Sequence, residues 1–240
     1  MNISGQKKEV SILLPVHNEA SHIENCIREV EKAIGLVSGS YEIIISEDGS
    51  IDGTNIIVSD LLSGDPHLSL LHSEYRLGKG KAIKKAFVKA TGDIIVFMDA
   101  DLATNLEYLP KILESVREHG GMAIGSRHVK GSAVHRRTSR TFSSLAYNLF
   151  VRLLFLDGVR DHQCGFKAMS RPAARVMLDT KSDGFFFDTE LILRCRKKGF
   201  PITEIGVEWT ETREKGQSKV KLLQDARRIA LDLMAFRLAE

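Results

Sequence analysis

Residues 92–104, GDIIVFMDADLAT, form the segment that decides the predicted fold. Within it Ile94–Met98 is apolar, rich in β-branched residues and of strand length, which is typical of a strand buried on both faces of a parallel sheet. Asp99 and Asp101 follow at the carboxyl end of this strand, where open α/β sheets bind their ligands. Two carboxylates there have three alternative roles: they cap the next helix, they simply end the strand, or they hold a divalent cation against a phosphate group.

The composition fits one globular domain and excludes several classes of protein. Of the 240 residues 43% are hydrophobic and 27% charged, and a net charge of +3 does not indicate general binding to nucleic acid. Three widely spaced cysteines, Cys26, Cys164 and Cys195, favour neither a disulfide framework nor a zinc site and fit reducing cytosol. Without a signal peptide or an apolar run of about 18 residues, we expect at most peripheral contact with a membrane.

Strand and helix patterns alternate four times in the first half of the chain. The predicted strands are Val10–Val16, 41–46, 68–72 and Ile94–Met98, and the predicted helices are 23–34, 55–62, 82–90 and 106–119. This alternation predicts an α/β fold with a parallel sheet and helices on both faces. The polar loops 17–19, 47–54 and 99–104 should then open on one edge of the sheet, where a nucleotide would meet all three. At the first helix, Ser21 and Glu24 have the spacing of a capping box.

The second half follows a different pattern, and we still expect a single domain over residues 1–240. The predicted segments are strands at Met122–Ser126 and 201–207, a basic loop at 129–140, a polar turn at 161–170 and a helix after residues 185–187. Residues 145–156 are the most apolar stretch, although too short to span a bilayer. Residues 222–238 have the spacing of an amphipathic helix.

Five motifs together make the chain recognisable. They are PVHNE at 15–19, EDGSIDGT at 47–54, RLGKG at 76–80, DAD at 99–101 and GSR at 125–127. In order and spacing they resemble the inverting family-2 glycosyltransferases, whose GT-A fold is a mostly parallel sheet flanked by helices. The resemblance implies a Rossmann-like nucleotide-sugar-binding half, about 8–125, and an acceptor-binding half, about 126–240.

Further motifs are similar to one group within that family. DHQCGFK at 161–167, WTE at 209–211 and GQSK at 216–219 resemble the polyprenyl-phosphate sugar synthases. DLAT at 101–104 resembles the dolichyl-phosphate β-glucosyltransferase branch, because the mannosyl enzymes tend to carry Gln where this chain has Ala103. The implied reaction transfers a hexose to dolichyl or polyprenyl phosphate with inversion at the anomeric carbon. The expected hexose is glucose, and the expected donor is UDP-glucose.

The resemblance assigns donor binding mainly to the first half. The implied nucleotide-sugar contacts are Pro15, Asn18, Glu19, Glu47, Asp48, Arg76, Lys79, Asp99, Ala100, Asp101 and Gln163. Asp99 and Asp101 are also the implied ligands of Mg²⁺ or Mn²⁺, which would neutralise the leaving diphosphate. Asp188 and Glu190 are implied contacts of the sugar hydroxyls, while Asp161 and Gln163 have the alternative role of organising their turn.

The implied acceptor site is cationic. Its residues are Arg127, Arg140, Arg213 and Ser144. An ionised acceptor phosphate needs cations more than it needs a general base, and the guanidinium fork suits phosphate oxygens. The three arginines therefore join the two aspartates as the predicted catalytic residues.

Membrane contact is a separate prediction. Residues 145–156, with Arg140, Arg152 and Arg160 around them, have the character of a segment that lies in the headgroup region with its apolar side down. The alternative is that this segment packs on the sheet or on a second subunit. The expected location is the cytoplasmic face of a membrane, reached directly or through a separate membrane-anchored partner.

Three other functions compete with this one. A GDP-mannose-dependent mannosyltransferase keeps the acceptor and changes the donor. A transferase acting on a glycan, protein or diacylglycerol hydroxyl is disfavoured by the arginine set, because a neutral acceptor needs a base. A non-catalytic nucleotide-sugar-binding protein is disfavoured by the intact pair of Asp99 and Asp101.

Overall fold

The computed structural model describes residues 7–135, 138–184, 186–212, 233–234 and 236–237, and only the backbone of 138–143. The strands are β1 (Val10–Val16), β2 (Tyr41–Glu47), β3 (Leu68–Leu71), β4 (Ile94–Met98), β5 (Met122–Ser126), β6 (Ala133–His135), β7 (Phe166–Ser170), β8 (Ile202–Gly206) and β9 (Glu208–Thr210). The helices are α1 (Ile23–Gly35), α2 (Thr54–Leu62), α3 (Lys79–Lys89), α4 (Leu109–His119), α5 (Thr138–Phe155), α6 (Arg171–Ala174) and α7 (Phe187–Lys197). Short 3₁₀ turns lie at Leu106–Tyr108 and Arg175–Asp179.

A seven-stranded sheet in the order β3-β2-β1-β4-β7-β5-β8 forms the centre of the molecule. Neighbouring strands are parallel except at β7, which runs antiparallel to both β4 and β5. β6 and β9 form a separate parallel pair. The prediction of a mostly parallel α/β sheet flanked by helices is confirmed.

Alternate residues of the central strands pack against helices on opposite faces. In β4, Val96 belongs to a core cluster with Ile27 of α1 and Ile112 of α4. Phe97 belongs to a second cluster that includes Ile83 of α3 and residues of α7. All five residues of β4 are buried, as the apolar run predicts. The two layers fix the strand whose end carries Asp99.

Strand β7 corrects the prediction of a polar turn over residues 161–170. Only its first part is a turn, and Phe166–Ser170 pairs with β4 and β5 in the middle of the sheet. Lys167 makes this strand look polar in the sequence, yet its side chain is fully buried beside Asp188 at 2.6 Å. The ion pair removes the cost that burial of a lone ammonium would carry.

Other boundaries differ from the predictions. Ser21 is not the cap of α1: the helix begins at Ile23, its cap position is His22, and no side chain bonds there. The backbone N–H groups of residues 22 and 23 instead donate to the carbonyl of Glu19 at 2.9 Å. The predicted basic loop at 129–140 contains β6 and the start of α5.

The apolar segment 145–156 lies mostly within α5. No helix in the described part of the chain combines the length and hydropathy needed to cross a bilayer. Most of the predicted helix 222–238 lies outside the described residues. Two members of its apolar stripe, Leu233 and Phe236, are buried in a cluster with Val151 of α5 and Phe186.

Candidate active site

The carboxyl ends of β1, β2, β4, β5 and β8 meet at one edge of the sheet. The register pairs Val16 with Glu47 at one side and Ser126 with Gly206 at the other. Between them, Met98 at the end of β4 pairs with the first residue of β7. The loops that the sequence predicts at one edge therefore do lie there together.

The loops after β1 and β2 are bonded to each other. Asn18 donates its backbone N–H to Ser50 Oγ at 2.9 Å, and its side-chain oxygen accepts from Ile51 N at 2.9 Å. Asn18 has a φ of 52°, a left-handed conformation that asparagine tolerates better than most residues. Glu19 N donates to Thr54 Oγ1 at 2.9 Å. The two loops thus form one surface beside the strand end that carries Asp99.

Two buried carboxylates at the end of β2 hold the following segments in place. Glu47 Oε2 lies 2.5 Å from His72 Nδ1, and Glu47 Oε1 accepts from Ser50 N at 2.5 Å. Asp48 accepts from the backbone N–H groups of 77 and 78 at 2.6 and 2.9 Å. These bonds fix the loop that enters α3. A carboxylate has about four lone-pair positions, so both roles are compatible with a further contact to a ligand.

A cluster of four charged side chains extends from the core to the surface and is here called the Lys79 cluster. Its members are Lys79, Asp99, Asp188 and Lys167. Lys79 Nζ lies 2.9 Å from Asp99 Oδ1 and 3.1 Å from Asp188 Oδ2. Lys167 Nζ donates to Asp188 Oδ1 at 2.6 Å and to the Cys164 carbonyl at 2.5 Å. The side chain of Asp99 is 44% exposed, whereas that of Asp188 is 4% exposed. The cluster therefore opens to solvent at Asp99.

Charge balance keeps the buried members of this cluster ionised. Burial alone would lower the pKa of Lys79, but the charges of Asp188 and Asp99 outweigh it and raise that pKa well above its usual range. Burial would raise the pKa of Asp188, and the two lysines reverse that effect and lower it. Lys79 is thus an ammonium fixed between two carboxylates.

Asp99 and Asp101 line one small cavity at the tip of β4, together with Ala103 and Trp209. Gly165 makes this possible, because a Cβ there would lie 1.9 Å from Asp99 Oδ2. Asp101 Oδ1 accepts from Ala103 N at 3.2 Å, which turns the chain directly after the strand. A carboxylate pair facing a shared cavity fits a hard divalent cation that takes its other ligands from a diphosphate and water. Among the described residues no group of three or more His, Cys, Asp or Glu is placed to hold a metal ion.

Arg127 and Asp161, here called the Arg127 pair, form a bidentate ion pair after β5. Arg127 Nε and Nη2 donate to the two oxygens of Asp161 at 2.7 and 2.8 Å, and its backbone N donates at 3.0 Å. Their side chains are 9% and 0% exposed. Burial would raise the pKa of Asp161, but the Arg127 guanidinium outweighs it and holds that pKa well below its usual range. Two of the five guanidinium N–H donors are used in this fork.

Trp209 links this pair to the cavity of Asp99 and Asp101. The Arg127 guanidinium carbon lies 5.5 Å from the centre of the Trp209 ring. The backbone of β9 holds the ring there, because Thr210 N donates to the Ala103 carbonyl at 2.8 Å. Cationic and acidic groups of the predicted site are therefore brought to one place on the sheet edge.

The remaining predicted residues are placed as follows. Pro15 is partly buried near the end of β1, Ala100 is buried, and Arg76 is exposed. Gln163 donates its backbone N–H to Asp161 Oδ1 at 3.3 Å. Ser144 Oγ lies 3.2 Å from His128 Nε2. Arg140 lies in α5 with its side chain outside the described part, and Arg213 lies outside it altogether. Glu190 accepts from the backbone N–H groups of 181 and 182 and from Arg194. It is therefore engaged in holding the loop before α7.

Two residues of this site, Lys167 and Trp209, were not predicted from the sequence as site residues. A lysine inside the otherwise apolar stretch FKAMS is a usable signal, since a buried ammonium requires a carboxylate partner. The one tryptophan of the chain lies in a charged segment, WTETREK, which favours a contact with a cation. Neither pattern indicates which residue is the partner.

Comparison with known proteins gives several matches. The family model described as glycosyl transferase family 2 matches residues 11–178. Glycosyltransferase AglD of Haloferax volcanii is 40% identical over 221 residues, which cover 90% of this chain and 35% of that protein. The dolichyl-phosphate beta-glucosyltransferase of Drosophila melanogaster is 32% identical over 219 residues, covering 85% of this chain and 67% of that protein. The chain thus spans about a third of one relative and two thirds of the other.

A solved structure matches the fold. Glucosyl-3-phosphoglycerate synthase from Mycobacterium tuberculosis, in a complex with Mn²⁺, UDP and glucosyl-3-phosphoglycerate, superposes with a TM-score of 0.68 at 20% identity, covering 97% of this chain and 79% of that one. Its sheet architecture supports the GT-A fold. Because the family model matches more than half of this chain, the chain belongs to glycosyl transferase family 2.

Proposed function

We propose that this chain transfers glucose from UDP-glucose to dolichyl or polyprenyl phosphate, with inversion at the anomeric carbon. The observation that carries the proposal is the cavity of Asp99 and Asp101, bordered by Trp209, on which Arg127 lies at 5.5 Å. This arrangement supports the proposal because carboxylates suited to a cation–diphosphate complex lie beside a guanidinium suited to a second phosphate. The relatives named dolichyl-phosphate beta-glucosyltransferase support the choice of donor and acceptor.

The donor half is proposed to be residues of about 8–125. Asn18, Glu19 and Asp48 lie on the joined loops after β1 and β2 and would hold the nucleoside, with Pro15 and Arg76 at its margin. Asp99 and Asp101 would hold Mg²⁺ or Mn²⁺, which when bound supplies Lewis-acid neutralisation of the leaving diphosphate. Structures of the Mycobacterium tuberculosis enzyme with Mn²⁺ or Mg²⁺ and UDP support the use of a divalent ion.

The acceptor half is proposed to be residues of about 126–240. The fork to Asp161 orients Arg127, and the guanidinium N–H donors outside that fork would bind the acceptor phosphate and offset its repulsion from the donor. Ser144 would add a hydroxyl, and Arg140 and Arg213 are proposed to complete the cationic site. An ionised phosphate oxygen then attacks the anomeric carbon directly, so a separate base has little to contribute.

The lipid tail of the acceptor makes contact with a membrane surface part of the proposal. Exposed apolar residues follow one side of α5, among them Leu145, Leu149 and Leu153. Arg152 and Arg160 are exposed nearby, which suits anionic headgroups. We infer that this face lies on the cytoplasmic side of a membrane.

One experiment tests the function directly. The purified chain is incubated with UDP-glucose, other UDP-sugars or GDP-mannose, each with a polyprenyl phosphate and Mg²⁺ or Mn²⁺, and the lipid is analysed by mass spectrometry. We expect a hexosyl-phosphate lipid from UDP-glucose and loss of product when EDTA is added. Product from GDP-mannose alone would replace the proposed donor, and hexose on an added sugar or diacylglycerol but never on the lipid phosphate would contradict the proposed acceptor.

A further inference from the structure

We propose that Lys79 is a resident counter-cation of Asp99, which weakens the binding of a divalent cation to Asp99 and Asp101 until a nucleoside diphosphate binds with it. The proposal rests on the proposed function, because it assumes that these aspartates are the metal ligands. It makes Lys79 a positioning residue that couples the binding of the metal to the binding of the nucleotide.

The first support is the contact itself. Lys79 Nζ lies 2.9 Å from Asp99 Oδ1. Asp99 is the exposed one of the two carboxylates in the cluster. A charge-assisted bond of this length already offsets the negative charge of the carboxylate that an incoming cation would use. A divalent ion that arrives alone therefore gains less from Asp99 and is repelled by the ammonium.

The second support is that Lys79 cannot readily withdraw. Its ammonium also contacts Asp188 Oδ2 at 3.1 Å, and its side chain is only 18% exposed. The backbone on both sides is fixed: Asp48 accepts from Gly78 N, and Gly80 N donates to the Asp183 carbonyl at 3.0 Å. At Gly78, where φ is 100°, an added Cβ would lie 2.3 Å from that same carbonyl oxygen. The ammonium therefore remains beside Asp99 whatever else binds there.

The third support is the charge count of the Lys79 cluster. Its two lysines balance its two aspartates, and the neighbouring Asp101 adds one negative charge, so a divalent cation added alone leaves one excess positive charge in a partly buried place. A diphosphate brought together with the cation removes that excess and gives the ammonium a third anionic neighbour. By linkage, each of the two ligands then raises the affinity for the other by the same factor.

The test measures Mn²⁺ binding, not activity. Free Mn²⁺ is followed by EPR during titration of the full chain with and without saturating UDP, in the wild type and in Lys79→Met. We expect UDP to raise the Mn²⁺ affinity of the wild type by about fivefold or more, the lower end of ordinary coupling between two sites. In Lys79→Met, Mn²⁺ alone should bind about fivefold or more tightly than to the wild type, and the gain from UDP should shrink.

Three further variants make the result specific. Lys79→Arg keeps the charge and should resemble the wild type, while Lys79→Gln should repeat the result of Lys79→Met if that variant folds poorly. Lys81→Met changes an exposed lysine of the same helix and should leave Mn²⁺ binding unchanged.

The outcomes separate this proposal from the proposed function. If both neutral variants bind Mn²⁺ no more tightly than the wild type, while UDP still raises the affinity of the wild type, the role of Lys79 is refuted and the metal site stands. If the wild type binds no Mn²⁺ even with UDP, the metal-dependent function itself is wrong.

Discussion

The Lys79 cluster and the Arg127 pair lie on the same sheet edge, but their ion pairs differ in number of partners and in burial. In the Lys79 cluster one ammonium is shared by two carboxylates, and one of these, Asp99, is 44% exposed. In the Arg127 pair one guanidinium is bound by one carboxylate through two parallel bonds, and both side chains are almost completely buried. The first arrangement leaves a carboxylate open to a new partner, whereas the second uses a buried carboxylate to hold a guanidinium in one orientation.

This difference separates a carboxylate that can accept a further cation from a guanidinium that is held in place. Asp99 can take a second cation while Lys79 stays beside it, because the side chain of Asp99 is 44% exposed and the added contact costs little desolvation. If Arg127 moved away from Asp161, it would leave a buried carboxylate unpaired, because no other cation is bonded to Asp161 in the described structure. We therefore expect substitutions near Asp99 to change activity and substitutions in the Arg127 pair to change stability first.

The largest effect should come from Asp101→Asn. We expect transfer to fall by about 10³-fold, equivalent to about 4 kcal/mol, because a neutral amide is a poor ligand for the cation that is proposed to neutralise the leaving diphosphate. Folding should be retained, since the amide oxygen can still accept from Ala103 N as Asp101 does. Initial rates and thermal melting measure the two effects. Asp60→Asn, on the exposed side of α2, is the matched control. Near-normal turnover would remove Asp101 from the chemistry.

The next effect should be on stability in Asp161→Asn. Removing one member of a buried pair leaves the other charge unpaired, and we expect a loss of about 3 kcal/mol at pH 7 by urea unfolding. Lys79→Met should cost only about 1 kcal/mol, because Asp188 keeps Lys167 as a partner. Equal losses in the two variants would abolish the distinction between the two sites.

The pH dependence of Asp161→Asn sharpens the same comparison. The pKa of Asp161 is lowered in the folded state, so the unfolded chain binds more protons and the pair stabilises the protein above the unfolded pKa of about 3.9. That stabilisation is lost as the pH falls below about 4 toward the folded pKa. The gap in unfolding free energy between the wild type and the variant should therefore be constant from pH 5 to 7 and narrow below pH 4. A gap that closes at higher pH would contradict the assigned direction.

The last effect concerns α5, whose Ser144 contacts His128, the residue that follows Arg127 in the chain. In Leu149→Gln/Leu153→Gln, which changes two exposed residues of α5, association with anionic liposomes should weaken by about tenfold, because less apolar surface enters the headgroup region. Co-sedimentation at low salt measures this, and Val88→Gln on α3 is an equally exposed control. Unchanged association in the double variant, with strong binding in the wild type, would place the membrane contact elsewhere.

Several parts of the fold and the site could be predicted from the sequence because their signals are local. Ile94–Met98 is a buried strand, and the loops after β1, β2 and β4 share one edge, since parallel strands with helical crossovers allow no other arrangement. β7 was missed because its signal is not local: Lys167 belongs in a buried strand only if Asp188 is known to face it. The capping box at Ser21 failed because the backbone of Glu19 already accepts the N–H groups at the start of α1.

By itself the sequence determined the order of strands and helices in the first half of the chain, the acidic tip of β4 and the membership of the family, because periodicity and motif spacing are written along the chain. Only the tertiary structure decided which cation pairs with which carboxylate: Lys79 with Asp99 and Asp188, and Arg127 with Asp161. The physical reason is that a charged group must find its partner across the sheet edge after the strands have packed. Charge alone makes every lysine and arginine an equal candidate until burial and distance select one.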